Sequence, residues 1–461
     1  MRTQCNAEQL EFGGLGRRRV VAAFDGGQVG SDAGALLLKQ TDQAIRLIDR
    51  LAGCFVDRRC ESAVEHSVRT LVAQRVFGIA AGYEDLNDHD ILRRDPLWAT
   101  VIGKLEARRA DCEPLAGKST LNRLELSVSE APSRYHKVGH DPAAIERLFG
   151  ELFLESYGRA PRQIVLDLDA TDDPLHGTQE GRFFHGYYDS YCYLPLYIFC
   201  GRHLLAAKLR RSNIDAAAGA VDEVERLVAR IRARWPKVRI VLRADSGFAR
   251  EALMSWCEQH AVDYVFGLAR NERLGRRLAA ALREAQQKAT RSGRPARVFR
   301  DFRYATLETW SRIRRVIGKA EYVGDKANPR YIVTSFSRRE RDARRLYERF
   351  YCARGEMENR IKDAQLELFA DRTSSHTFRA NQLRLWLASF AYVLVEALRR
   401  LGLRGTALAV ATAGSIRLKL LKIGAIVRVS MRRVKLAMSS THPYQAEFTA
   451  AFHTLGAAVR A

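Results

Sequence analysis

The chain lacks the features that would hold together a small secreted protein. Its eight cysteines (Cys5, Cys54, Cys60, Cys112, Cys192, Cys200, Cys257 and Cys352) form no C-x-x-C pair and keep no regular spacing, so neither a disulfide framework nor a zinc knuckle is indicated. Several lie inside apolar runs, as buried thiols in a reducing cytoplasm would. The opening Met1-Arg-Thr-Gln-Cys-Asn-Ala-Glu has no apolar core of the signal-peptide kind. The one long apolar stretch, Leu383 to Leu398, is too short to span a bilayer and carries Arg384 and Glu396. It reads as a buried core helix, and no membrane partner is expected. No G-x-S-x-G or Walker A sequence occurs, which leaves acyl-enzyme and nucleoside-triphosphate chemistry without a foothold. Gly26-Gly-Gln-Val-Gly30 lacks the spacing and the following βαβ unit of a dinucleotide site and reads as a turn. There is no internal repeat and no low-complexity segment.

Negative charge is also short. Against 53 Asp+Glu stand 76 Lys+Arg, a formal charge of +23 spread along 461 residues. A surface of this sign attracts polyphosphate, because each phosphate neutralised releases counterions. At 47% hydrophobic content the chain can bury the cores of two or three domains.

Residues 1–155 read as a mainly helical N-terminal region. A short strand around Val20 to Phe24 leads through Ser31 or Asp32 as a cap into an amphipathic helix, Ala35 to Leu51. Further helices are expected over Ser62–Ala81, after Gly117, and over Asp141–Tyr157. The acidic run Glu84 to Asp90 reads as a helix start, since an EF-hand counted from Asp85 would need Glu where Pro96 stands. Over 160–270 the pattern changes to strands at 163–169, 192–200 and 203–210, a helix at 216–235, a strand at 238–244, a helix at 249–260 and a strand at 262–268. Three strands, helix, strand, helix, strand is the order of an RNase H-like mixed sheet. Residues 271–340 read as a basic, mainly β insertion opened by a charged helix. Residues 341–402 are expected to be core helices, and 403–461 a basic tail.

That order gives meaning to three carboxylates. Asp169 closes the strand-like run Gln163-Ile-Val-Leu-Asp-Leu-Asp, and Asp245 closes Val238-Arg-Ile-Val-Leu-Arg-Ala-Asp. The first and fourth strands of such a sheet lie side by side, and ligands gather at strand ends in open α/β sheets. Glu358 lies in a helix-like segment where Tyr351, Arg354, Glu358 and Lys362 recur at spacings of three to four, which puts them on one stripe. Hard oxygen ligands of this kind bind Mg²⁺, and a metal pair can stabilise both the attacking and the leaving oxygen of an in-line displacement at phosphorus. Asp167 competes with Asp169, because alternate strand residues share a face, and Asp172 and Asp173 are in reach. The loop His176 to Asp189 offers histidines and carboxylates without the spacing of a zinc site. It reads better as a polar, aromatic loop beside nucleic acid. Trp310 reads as a packed core residue or as a platform for an unpaired base.

The chain resembles the DDE transposases of bacterial insertion sequences, in particular the family numbered thirteen-eighty. The resemblance rests on Phe24-Asp-Gly-Gly, Tyr83-Glu-Asp-Leu-Asn-Asp, Leu92-Arg-Arg-Asp-Pro96, Leu166-Asp-Leu-Asp-Ala-Thr-Asp, Leu242-Arg-Ala-Asp-Ser-Gly-Phe and the Tyr-Arg-Glu stripe, over nearly the full length. It implies an α/β protein with an RNase H-like core interrupted by a β insertion and a helical DNA-binding region. It also implies a triad of Asp169, Asp245 and Glu358 that holds Mg²⁺, with Mn²⁺ able to substitute. Tyr351, Arg354 and Lys362 would contact DNA phosphates; where the family's stripe ends in lysine this chain has Gln365. The implied partners are double-stranded DNA, as terminal inverted repeats and as target, and a second protomer on that DNA. The implied location is the bacterial cytoplasm at the nucleoid. The rival readings are an RNase H-like nuclease that does not join strands, and a basic DNA-binding protein that has lost the chemistry.

Overall fold

A computed structural model describes residues 9–128, 136–323 and 326–460; Cys5 and the first eight residues lie outside this set. Two compact units are present. One comprises Pro142–Leu366 with Ala370–Ser389, and the other the described residues up to Asp141 with Glu367–Phe369 and the chain from Phe390 onward.

The first of these units is built on a large mixed sheet. Its strands are Gln163–Ala170 (β1), Leu196–Cys200 (β2), His203–Lys208 (β3), Arg239–Ala244 (β4), Asp263–Leu268 (β5), Ala296–Tyr304 (β6), Arg314–Val323 (β7) and Arg330–Thr334 (β8). Among the described residues their order across the sheet is β3-β2-β1-β4-β5-β8-β7-β6, with Lys326–Ala327 pairing β7 at the side. β1, β4 and β5 run parallel to one another, and the remaining pairings are antiparallel. The helices Ala220–Arg234 (α1), Glu251–Gln259 (α2) and Glu272–Ser292 (α3) bring their apolar faces to one side of the sheet. There Leu166, Leu168, Ile198, Leu242 and Phe266 pack with Leu227, Met254 and Leu278 in a single core. A smaller core on the opposite side joins Val241, Val265, Ile317 and Ile332 to Phe336, Leu346 and Tyr347. Strand alternation separates the two: Leu166 and Leu168 enter the large core, and Asp167 and Asp169 point the other way.

The segment 271–340, read as an insertion, does not form a separate β body. Its strands extend the same sheet, because β8 pairs with β5 over Val265–Leu268, and α3 covers them with Leu274, Leu278, Ala281 and Ala285. Trp310 packs edge-on to Tyr304 at 5.8 Å beside the Arg314 guanidinium, so the packed alternative holds for it. The helix Pro142–Glu155 also belongs to this unit and not with the N-terminal helices, since its Phe153 is part of the large core.

The other unit holds the helices Val68–Ala81, Pro96–Ile102 and Lys118–Glu125 and a two-stranded hairpin, Leu10–Leu15 with Arg18–Ala22. Residues 403–461, read as a tail, are folded: Ala425–Ser430 and Arg433–Met438 form a hairpin that pairs with Val29–Gly30, and Gln445–Arg460 is a helix. The long helix Phe378–Leu401 is buried along its second half, and among the described residues no helix is long and apolar enough to cross a membrane. The helix expected over Ala35–Leu51 is broken. Ala35–Ile45 and Leu47–Ala52 meet at Arg46, whose φ of 53° is left-handed. Asp42 stabilises the break by accepting the Ile48 N–H at 2.7 Å; the first helix starts after Gly34 without a side-chain cap, where Ser31 or Asp32 is expected to supply one.

Burial pushes the Asp42 carboxyl up to about 6, against the Ile48 hydrogen bond. A carboxyl whose folded-state pKa is raised binds more protons folded than unfolded, so its contribution to stability falls as pH rises from about 4 to 6. In Asp42→Asn that fall is absent. The stability of the variant relative to the parent, from urea unfolding, should improve by about 1–3 kcal/mol between pH 4 and pH 7. A pH-independent difference would show that Asp42 does not titrate in this window.

Candidate active site

The parallel pairing of β1 with β4 sets the site. Arg243 lies opposite Asp167 and Ala244 opposite Leu168, so one further step along both strands brings Asp169 level with Asp245. β2 flanks the pair, with Tyr197 opposite Asp169. The two aspartates nevertheless differ in surroundings. Asp169 is largely buried and accepts the Ala170 N–H at 3.0 Å. Asp245 ends its strand and caps a short 3₁₀ turn by accepting the Gly247 N–H at 2.8 Å. That hydrogen bond orients the carboxylate.

The third carboxylate arrives from the far side of the sheet. Residues 346–367 are helical but irregular, with π turns at Leu346–Tyr351 and Asp363–Glu367, a 3₁₀ turn at Cys352–Arg354 and the α-helix Gly355–Lys362 (α4) between. π turns widen the helix and re-aim side chains. Arg354 is the keystone of this segment: its guanidinium donates to Asp169 Oδ2 at 3.3 Å and to Glu358 Oε1 at 2.8 Å. Asp169 carries the imprint of this crowding. Burial pushes its carboxyl up to about 7, with Asp245 and Glu358 adding to the rise and Arg354 opposing it. Tyr351 is raised as well, by burial first and by Asp245.

Asp169, Asp245, Glu358, Tyr351 and Arg354 are therefore brought together. Lys362 is exposed, one turn beyond Glu358, and among the described residues it has no hydrogen bond or ion pair to that group. Gln365 turns to the opposite neighbour and donates to Asp173 Oδ1 at 2.8 Å. Asp173 is fully buried and held well above the usual carboxylate range by that burial. Asp167, the competitor of Asp169, is engaged: Arg243 clasps it through two hydrogen bonds of 2.5 and 2.8 Å and also reaches the Phe350 carbonyl. From the loop 176–189, Tyr188 approaches the Ala170 carbonyl at 3.5 Å and is pushed up to about 12 by burial and by Asp172 and Asp169.

The donor set suits a hard divalent cation, since three carboxylates from separate elements gather where burial already strains one of them. As placed, no three His, Cys, Asp or Glu side chains among the described residues, this trio and the 176–189 loop included, stand in a metal-chelating arrangement. Arg354 lies between Asp169 and Glu358 and supplies the positive charge there, so chelation by all three requires its guanidinium to swing away.

The family model described as transposase DDE domain group 1 matches residues 12–459. The chain belongs to that family. It is a DDE transposase, an enzyme of DNA transposition that cleaves DNA and transfers strands. DDE transposases bind DNA and generally use divalent metal ions. No curated protein matches the chain closely enough to add to this.

Two features of the candidate site escaped the sequence reading. Arg243 is charged and sits inside the apolar run Ile240 to Ala244, a signal that a buried acid faces it. Gly267 interrupts the apolar strand β5, and a glycine there marks close backbone approach. A Cβ on Gly267 would meet Tyr351 Oη at 2.6 Å, Ser246 N at 2.7 Å and the Asp245 carbonyl carbon at 3.0 Å. The bare Cα of Gly267 lets the Asp245 turn and the Tyr351 ring close over β5 together.

Gly267→Ala should therefore displace Asp245, Tyr351 or both by several tenths of an ångström. Misplacement on that scale lowers the cleavage rate by about 10- to 100-fold, while affinity for DNA stays within about twofold. Single-turnover nicking and gel-shift titration, with near-ultraviolet circular dichroism as the folding control, make the comparison. Parental nicking by Gly267→Ala would show that the close approach is not needed.

Proposed function

We propose that this transposase belongs to the insertion-sequence family numbered thirteen-eighty, binds the terminal inverted repeats of its own element, and cuts and joins them at Asp169, Asp245 and Glu358. The observation that carries the reading is the convergence of these residues: Asp169 and Asp245 at the ends of adjacent parallel strands, and Arg354 linking Asp169 to Glu358. We read the β3-β2-β1-β4-β5 part of the sheet as an RNase H-like core. Asp169, Asp245 and Glu358 would hold Mg²⁺ or Mn²⁺, which would supply Lewis acidity for the attacking and the leaving oxygen.

The chain's own residues do the positioning. Arg354, whose guanidinium lies beside Asp169 and Glu358, would donate two parallel hydrogen bonds to the scissile phosphate. The Tyr351 hydroxyl, beside Arg354 and Asp245, donates to a second phosphate oxygen. Lys362 meets a neighbouring phosphate from the exposed side of α4. Water attacks phosphorus first and the DNA 3′-hydroxyl leaves with the proton it gains. That hydroxyl then attacks a phosphodiester of the target, whose own 3′ oxygen departs. Both steps are in-line displacements at one site. Two ends must be held together for joining, so the working form is a homodimer on DNA, in the bacterial cytoplasm at the nucleoid.

Asp169→Asn, Asp245→Asn and Glu358→Gln should each abolish nicking of labelled element ends in Mg²⁺ while gel-shift binding persists. Full cleavage by any one of them removes that residue from the triad.

Arg354→Ala should lower nicking by about 100-fold, in the range of losing one preorganised donor, with much less effect on binding. Arg354→Lys should recover only part of the loss, because lysine is a point charge. Equal losses of binding and nicking in Arg354→Ala would refute the phosphate-positioning role.

A further inference from the structure

Between Glu396 and Glu447 the chain has ten Arg and Lys and no Asp or Glu. Part of that positive charge is neutralised by residues near or outside the segment, Lys422 by Asp32 at 2.8 Å and Arg399 by Glu396 at 3.1 Å. Four of the ten, Arg428, Arg432, Arg433 and Lys435, lie on one hairpin. Ala425–Ser430 and Arg433–Met438 are joined by the two-residue turn Met431-Arg432. On one face Ala425 and Val427 are buried, with Val434 and Leu436 half-buried beside them. Alternation sends Arg428, Ser430, Arg433 and Lys435 to the opposite face, and all four are exposed. Arg428 lies directly opposite Lys435. Like charges in that position destabilise a hairpin, and among the described residues neither these two nor Arg432 or Arg433 has a carboxylate partner.

An ordinary solvated face of this chain looks different. Along α3, Arg276 pairs with Glu272, Lys288 with Glu284, and Arg300 reaches Glu284 from β6. The hairpin instead keeps an uncompensated cross-strand cation pair behind a turn whose Met431 is fully exposed. A two-stranded antiparallel ribbon has the width to enter the major groove of B-form DNA.

We infer that the hairpin Ala425–Met438 is a DNA-docking ribbon of the transposase, its Arg428, Arg433 and Lys435 face lying along duplex phosphates and its Met431-Arg432 turn entering the groove. This rests on the DNA-cutting reading above but assigns the ribbon no part in the chemistry. The phosphates opposite Arg428 and Lys435 supply the negative charge that the hairpin lacks, and the repulsion between the two cations is relieved on binding.

The test uses the full-length protein and labelled element-end duplex at several salt concentrations. The triple variant Arg428→Ala/Arg433→Ala/Lys435→Ala should fold with an unchanged or higher Tm, because it removes like-charge repulsion from an exposed face. Its Kd should rise about tenfold or more, and the slope of log K against log salt should become shallower by about 2 to 3, as the loss of three phosphate contacts requires. Nicking at saturating DNA should match the parent. Met431→p-benzoylphenylalanine should photo-cross-link to the duplex. A steep parental slope left unchanged in the triple variant, with no cross-link, overturns the ribbon and leaves the transposition reading intact. A flat parental slope overturns both. Loss of binding to vesicles containing phosphatidylserine, with DNA binding untouched, reassigns the hairpin to a membrane surface and also overturns the proposal.

Discussion

The register between Gln163–Ala170 and Arg239–Ala244 is the constraint on which the site depends. Both strands are covered on both faces, so a slip of one residue would carry Leu166, Leu168, Ile240 and Leu242 out of the large core and turn acidic side chains into it. The cost of burying unpaired carboxylates in an apolar core forbids that alternative. The same alternation that buries the leucines therefore obliges Asp167, Asp169, Arg243 and Asp245 to share the other face. The geometry of the candidate site is a by-product of core packing.

That face divides its charges between two arginines with different freedom. Arg243 is enclosed, clasps Asp167 through both carboxylate oxygens and is further held by the Phe350 carbonyl. Such a pair ties the sheet to the irregular helix above it, and separating it would leave a buried charge uncompensated. Arg354 is less enclosed. It divides its donors between a buried aspartate and a half-exposed glutamate, each at a single contact. One arginine thus fixes the scaffold and the other can change partners, and they differ in how many of their hydrogen bonds are made to groups that have no alternative.

Charge elsewhere follows the same division. Arg314, nearly fully buried, is saturated by Glu251 and Glu258, and Arg315 by Asp301 and three backbone carbonyls. These cations hold the extended sheet together. The surplus that makes the chain basic lies on exposed elements, where the carboxylates are too few to match it. A net charge of +23 is therefore concentrated in what the surface offers to a polyanion.

The sequence by itself determined the elements whose signals are local. Period-two apolar runs ending in Asp169 and Asp245, the helix-strand alternation through Leu268, the burial of the Leu383–Leu398 run and the basic balance all depend on residues within a turn or a strand of one another. The tertiary structure decided what depends on distant partners. Arg243 engages Asp167 and leaves Asp169 beside Asp245 and Arg354, because strand register places side chains from residues 76 apart against each other. The strands after Ala296 join the main sheet because the edge of β5 is open to β8, and strand propensity does not specify a partner. The helix from Ala35 breaks at Arg46 because the Asp42 side chain can cap the next turn. Gly267 matters through two segments far from it in the chain, and the Gln365 amide meets Asp173 across 192 residues. Such contacts are fixed only when the whole core closes, which is why no window of the sequence displays them.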